Sequence, residues 1–308
     1  MSKILVIGSS NTDLIARVKH FPHAGETIEG IAYMQTMGGK GANQAVAAHR
    51  LGGAVKFVTS LGKDTNGLNS LEYYNEEGLD TSLSLIVEDA PSGIAMIWVD
   101  EKGENSIVII SGANEMLSPG YIHEIEKEIL KADLIMLQME IPYDTVKTVC
   151  DIAYEHNKQL LLNVAPARKL DAEIIKKIHI LVVNETEAEI ISGEKIREIG
   201  EQAVVDKLLA LGAKSVVLTL GGKGSIMKNE SEYHVIPAFK VKSIDSTGAG
   251  DTFCGALAAG LNKGRSWKDS LIFASAASAI CVTRMGAQPS IPTETEVHDF
   301  LKKKTVNY

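Results

Sequence analysis

Residues 245–251 read DSTGAGD and lead into the small-residue run TFCGALAAGL. A glycine turn that opens into a helix exposes backbone N–H groups at the positive helix end, an arrangement that suits a phosphate. Two acids stand at this turn, Asp245 at its entry and Asp251 where the helix should begin. A carboxylate beside an anion cradle can take a proton from a hydroxyl attacking a phosphoryl group held there. The spacing is neither G-x-x-x-x-G-K-[ST] nor G-x-G-x-x-G, because Phe253 stands where a third glycine would fall. A tight turn that merely lets a small-residue helix pack closely is the competing reading.

A second stretch, MGGKGANQAVAAHRLG (37–52), sets Gly38, Gly39 and Gly41 around Lys40 and places Asn43 at an N-cap position before an Ala-rich helix. Capping alone would explain Asn43. Three glycines around a lysine ask for more: flexible backbone, a cation and an amide at a helix start suit a polyhydroxylated or anionic ligand. Shorter polar motifs follow apolar runs elsewhere. They are GSSNTD (8–13), QMEIP (138–142), NETEAE (184–189), TLGGKG (219–224) and VTRMGAQPSIP (282–292). On residue type alone, Asn11 and Asp13 read as a polar turn and Glu140 as a solvated strand end. Asn184 and Glu187, three apart, share a helix face and read as capping. TLGGKG reads as a hairpin feeding SIMK and YHVIPA.

The elements that must position these residues alternate. KILVIG (3–8), AVKFVTSLG (54–62), ADLIMLQ (132–138), QLLLNV (159–164), HILVVN (179–184) and KSVVLTL (214–220) predict buried strands. Residues 43–52, 65–78, 142–157 and 201–212 have helical period, and several end in Gly, the favoured residue past a helix C-terminus. Near-continuous apolar strands alternating with helices predict an α/β fold: a doubly wound, mostly parallel sheet with helices on both faces. Residues 13–37 and 92–110 alternate like antiparallel strands, with EKGEN as a hairpin turn, and predict a small β-sheet lid inserted in one domain spanning 1–308.

Together the motifs, in this order along nearly the whole chain, resemble the ribokinase-like (PfkB) carbohydrate kinase family. The resemblance implies ATP-dependent phosphorylation of D-ribose at O5, giving D-ribose 5-phosphate and ADP. It assigns Asp251 as general base, with the N–H groups of Gly248, Ala249 and Gly250 stabilising charge on the γ-phosphoryl. It implies sugar contacts from Asn11, Asp13, Gly39, Lys40, Asn43 and Glu140, with Lys40 also reaching toward the transferred group. Asn184 and Glu187 would organise Mg²⁺ and phosphates through water. Thr219, Gly221, Gly222, Gly224 and Gly250 would hold the nucleotide, and Ser275 aligns with an adenine-pocket position. A carboxylate aimed at phosphates would repel them unless a cation intervened. The resemblance supplies K⁺, held by Asp245, Thr247 and Ser290 with Cys281, Arg284 and Gly286 through backbone carbonyls. It also implies a homodimer through the lids, whose exposed strand edges would seek partners.

Related readings stay open: another sugar or nucleoside kinase of this family, such as a deoxyribokinase, or a non-catalytic sugar or nucleotide sensor. An NAD-binding dehydrogenase is disfavoured, because the first strand ends in GSSNTD without a G-x-G-x-x-G turn. Net charge is −8, from 31 basic and 39 acidic residues, and the bases are scattered, which argues against nucleic-acid or anionic-membrane partners. Three distant cysteines, Cys150, Cys254 and Cys281, offer no C-x-x-C pair, and the first residues lack a signal-peptide apolar core. A cytoplasmic protein is expected. His20 and His23 belong to the lid rather than a metal site, and Lys302, Lys303 and Lys304 read as a solvated tail.

Overall fold

The computed structural model describes residues 3–305. Its main sheet has eight strands in the order Tyr233–Pro237, Gly224–Asn229, Ser215–Thr219, Ile180–Asn184, Gln159–Asn163, Leu134–Leu137, Lys3–Ile7, Ala54–Val58. The last six are parallel, and the first two add an antiparallel edge. Side chains alternate across a strand, so both faces must be covered to bury every one of them. Leu5 and Ile7 enter one core, with Val146, Val149, Val204 and Leu208 from the helices on that face. Ile4 and Val6 enter the other, with Ala45, Val46, Ala256 and Leu257. The doubly wound α/β expectation holds.

Three local readings are corrected. The run 54–62 is two strands: Ala54–Val58 lies in the main sheet, and Ser60–Gly62 pairs with Leu85–Val87 in a separate two-stranded sheet. The three lysines 302–304 are not a tail but the last turn of helix Glu294–Thr305, where cations complement the helix dipole. The third correction concerns the lid. Its sheet has the order Ala32–Gly38, Asn11–Arg17, Gly93–Val99, Asn105–Ile110, and EKGEN does turn the last hairpin. The central pair, Asn11–Arg17 with Gly93–Val99, is parallel rather than antiparallel. A pairing between strands so distant in sequence has no local turn to announce it. His20 lies in the connection between Asn11–Arg17 and Ala32–Gly38, and its Nε2 meets Glu26 Oε1 at 3.2 Å.

Candidate active site

Parallel strands deliver their C-terminal ends to one edge of the sheet, and the chain leaves Lys3–Ile7 toward opposite sides, to Ala54–Val58 and to Leu134–Leu137. Such a reversal opens a crevice for a ligand. Here Gly8–Ser10, Gln138–Glu140, Asn163, Asn184 and Thr219 follow or end successive strands along that edge.

Two glycines let the helix Lys40–Arg50 abut the first strand end. A Cβ on Gly41 would stand 2.4 Å from Ser9 N, and one on Gly8 would stand 2.7 Å from Gly41 Cα. Ala42 N–H donates to Ser9 O at 2.8 Å. The N-cap of this helix is Gly39, at φ 88°, which corrects the placement of Asn43: it lies inside the first turn and caps nothing. The capping acceptor comes from a strand end 100 residues away. Glu140 Oε2 accepts from Lys40 N–H at 2.9 Å and from Ser9 Oγ at 2.7 Å. Glu140 is therefore tied into the structure and is no free strand end.

Freed from capping, Asn43 donates Nδ2 to Asp251 Oδ2 at 3.0 Å, while its Oδ1 is buried with no partner among the described residues. Asp251 is the third residue of helix Ala249–Asn262, whose N-cap Gly248 is left-handed at φ 73°. Its other oxygen, Oδ1, accepts from Gln44 Nε2 at 3.0 Å. The two helices meet this closely because Gly255 faces the first: a Cβ there would lie 2.6 Å from Ala47 Cβ and 2.8 Å from Gln44 O. Small residues in both sequences thus set the distance between Asn43, Gln44 and Asp251. At the turn itself Ala249 N–H is directed to Ser246 O at 3.2 Å, whereas Gly250 N–H has no protein acceptor among the described residues.

Asn11 and Asp13 sit on the first lid strand, both buried. Asn114, unnoticed in the sequence, donates Nδ2 to Asn11 Oδ1 at 2.8 Å and accepts from Ser10 N–H at 2.9 Å. Gly38 leaves the space that Asp13 fills, since a Cβ would fall 2.2 Å from Asp13 Oδ2. No protein donor reaches the Asp13 carboxylate among the described residues. Burial, with Glu140 and Asp251 adding repulsion and Lys40 opposing them, raises its pKa from 3.8 to about 7. Lys40 is held above its usual pKa by Asp251 and then by Glu140 and Glu187, despite desolvation. Four carboxylates therefore surround one amine. Beside them a cavity of about 510 Å³ is lined by Asn11, Asn114, Glu140, Ile109, Tyr143 and Arg168, among others. Of the expected sugar contacts, Asn11 and Glu140 line it.

Further along the edge, Asn184 and Glu187 form a reciprocal capping box at helix Glu185–Ser192. Asn184 N–H and Nδ2 donate to the two Glu187 oxygens at 2.8 and 2.9 Å. Desolvation raises the Glu187 pKa, with Asn184 and Lys40 pulling the other way. The capping reading is right, and it leaves Glu187 buried within reach of the field of Lys40. The TLGGKG turn joins Ser215–Thr219 to Gly224–Asn229 as an antiparallel hairpin. Gly224, at φ 113°, passes against Ile236 O, whereas Cβ atoms on Gly221 and Gly222 would meet open space. Lys223 pairs with Glu185 at 3.3 Å and Glu201 at 3.4 Å, anchoring the turn to the capping-box helix. Ser275 is buried on helix Trp267–Cys281, and among the described residues no side-chain hydrogen bond singles it out.

Asp245 lies against the 281–290 loop. Its Oδ1 accepts from Thr247 N–H and Oγ1 at 2.9 and 2.6 Å, and its Oδ2 from Gly286 N–H at 2.8 Å. The carboxylate thus accepts three hydrogen bonds from protein donors, an account the sequence reading had not included. Cys281 Sγ meets Ser290 Oγ at 2.9 Å and Thr247 O at 3.7 Å. The Arg284 guanidinium turns away to Glu296. All six expected ion-site residues thus belong to one corner, with Arg284 able to present only backbone.

Sequence reasoning passed over Ser9, Gln44, Asn114, Gln138 and Asn163. Gln44 and Gln138 carried a signal, being amides inside apolar or Ala-rich elements next to residues already singled out. Asn114 carried none.

The family model for the pfkB family carbohydrate kinases matches residues 1–294. The chain is 39% identical over 302 residues to a ribokinase of Haemophilus influenzae, covering 97% of this chain and 98% of that one. It is 36% identical to a deoxyribokinase of Salmonella typhi, covering 97% and 98%. Among solved structures, Arabidopsis thaliana ribokinase complexed with ribose and ATP superposes with a TM-score of 0.89 at 32% identity, covering 98% of this chain and 99% of that one.

Proposed function

Because the chain belongs to the pfkB carbohydrate kinase family, we propose that it transfers the γ-phosphoryl group of ATP to O5 of D-ribose, giving D-ribose 5-phosphate and ADP. The observation that carries this reading is the Asp251 carboxylate, held by two side-chain amides at the start of a glycine-turn helix. The O5 oxygen attacks phosphorus, the O5–P bond forms as the bond to the ADP oxygen breaks, and the O5 proton passes to Asp251. A primary alcohol is too weak an acid to ionise first, so the proton leaves late, as P–O bonding develops. N–H groups of the 248–250 turn, of which those of Gly248 and Gly250 have no protein acceptor among the described residues, take the charge on the γ-phosphoryl.

Asn11, Asp13, Gly39, Lys40, Asn43 and Glu140 hold the sugar in this assignment. The unpaired Asn43 Oδ1 and the donor-free Asp13 carboxylate support it, since sugar hydroxyls would satisfy both. Thr219, Gly221, Gly222, Gly224, Gly250 and Ser275 hold the nucleotide, supported by the open space over Gly221 and Gly222. Mg²⁺ suits Asn184 and Glu187 through water, because Asn184 already engages both Glu187 oxygens. It would supply charge neutralisation to the phosphates. K⁺ suits the corner of Asp245, Thr247, Cys281, Arg284, Gly286 and Ser290, whose donors there are carboxylate, hydroxyl and carbonyl oxygen. We further infer a cytoplasmic homodimer joined through the lids. Exposed Ile107, Val108, Ile109 and Ile110 on one lid edge support the pairing, and the three unpaired cysteines suit a reducing compartment.

The deciding experiment measures ADP release with D-ribose, 2-deoxy-D-ribose, hexoses and nucleosides. D-ribose is expected to give the highest kcat/KM, and a higher value with 2-deoxy-D-ribose overturns the substrate assignment. Asp251→Asn should keep its KM for ribose while kcat falls ~10²–10⁴-fold; near-parental kcat removes Asp251 as base.

A further inference from the structure

We propose that Gln44 is a positioning residue for Asp251, and that its own amide is locked by Gln138 and Asn163. The inference rests on the assignment of Asp251 as the base. Gln44 is completely buried, so it does not touch the sugar. Its Nε2 forks to Asp251 Oδ1 and Asn163 Oδ1, each at 3.0 Å, and its Oε1 accepts from Gln138 Nε2 at 2.8 Å. Asn163 is itself oriented, donating Nδ2 to the backbone carbonyl of Val182 at 3.2 Å.

An amide has a donor end and an acceptor end, and here both are specified. Turning the Gln44 amide over would set its oxygen against the Asp251 and Asn163 oxygens and its NH₂ against the Gln138 NH₂. Gln138 Oε1 has no partner among the described residues, so that amide could turn as well, but the contacts with Asp251 and Asn163 would still become repulsions, so one orientation is selected. With Asn43 on Oδ2 and Gln44 on Oδ1, the carboxylate plane cannot rotate about its Cβ–Cγ bond without breaking one of the two. The chain Gln138–Gln44–Asp251 and its branch at Asn163 therefore carry the rigidity of two central strand ends to the proton acceptor. Reaction geometry is sensitive to this, since a displacement of ~1 Å can cost ~10²-fold in rate.

Methionine is nearly the size of glutamine and makes no comparable hydrogen bond, so Gln44→Met and Gln138→Met test the chain without opening a cavity. Purified variants are checked for folding by circular dichroism and assayed with D-ribose and MgATP. Gln44→Met should lower kcat ~10–100-fold with both KM values within about twofold. Gln138→Met, which touches neither Asp251 nor substrate, should lower kcat ~3–10-fold, and the double variant should be no slower than Gln44→Met alone. Parental kcat in a folded Gln44→Met, or rate losses that multiply in the double variant, overturn the proposal. Should Gln44→Met fail to fold, Gln138→Met decides alone, and parental kcat there overturns it. Asp251→Asn is run beside them: if it is inactive while both methionine variants turn over normally, only the positioning role falls. If it is active, the base assignment falls first.

Discussion

Asp13→Asn should change how the stability of this protein depends on pH. The native carboxyl is raised from 3.8 to about 7, chiefly by burial. In the unfolded chain it ionises near 3.8, so between these values the folded state holds a proton that the unfolded state has lost. Folding is therefore favoured at low pH, and stability is lost as pH rises toward 7; above that both states are ionised and the loss is complete. At ~1.4 kcal/mol for each tenfold, the loss grows with each pH step to a ceiling of ~4 kcal/mol. Between about pH 5 and about pH 8 it amounts to ~2.5 kcal/mol. For 308 residues the unfolding entropy is ~0.65 kcal/mol/K, so the difference corresponds to ~4 °C. Asparagine cannot ionise, so Asp13→Asn should gain ~4 °C over the parent on going from the lower to the higher pH. Thermal melts of both proteins without ligands, across that range, measure it. A Tm difference that stays constant with pH refutes a raised Asp13.

Three further outcomes are expected. Gly38→Ala would put a Cβ 2.2 Å from Asp13 Oδ2, where ordinary contact begins near 3.4 Å; displacing that charged acceptor by ~1 Å should cost ~1.5–3 kcal/mol, or ~10–100-fold in kcat/KM for ribose. Unchanged kcat/KM would show that Asp13 does not hold the sugar. Asn114→Leu removes the bond that orients Asn11 and should raise the ribose KM ~10-fold with a smaller effect on kcat; an unchanged KM would separate Asn11 from substrate. Replacing Na⁺ by K⁺ should raise kcat several-fold in the parent and leave Asp245→Ala indifferent, whereas equal parental rates in both salts dispose of the ion site.

The main sheet was legible because each of its parallel strands is buried on both faces, which writes a near-continuous apolar run into the chain. The break within 54–62 was invisible, since Val58 and Ser60 are both buried although they serve different sheets. Asn43 shows the corresponding limit at the site. A capping amide and an amide directed to a tertiary partner look alike along the chain. What distinguishes them is Glu140, which takes the capping role from a strand end beyond the reach of any local pattern. Asp245 posed the same problem in reverse: the charge and its local donor Thr247 were legible, while its second donor, Gly286, depended on a loop folding back from 41 residues away. Glycines gave the strongest guidance. Gly8, Gly41 and Gly255 each stand where a Cβ would strike backbone, so the sequence records where elements approach most closely without naming their partners.

Those close approaches also explain the electrostatic character of the site. Asp13, Glu140, Glu187 and Asp251 all act on Lys40 or on one another. One amine cannot offset the acids around it even when Asp13 is protonated, so a bare polyphosphate would enter against a net repulsion. Neutral ribose meets no such opposition, and its hydroxyls can donate to the very carboxylates that burial makes costly. On the proposed assignment the sugar thus relieves part of the burden before the nucleotide arrives, and the phosphates must come with cations of their own. On that assignment, the burial that chiefly raises Asp13, with the repulsion of Glu140 and Asp251 added to it, is the consequence of packing a hydroxyl-binding acid, a helix-capping acid and a base around a single phosphoryl path.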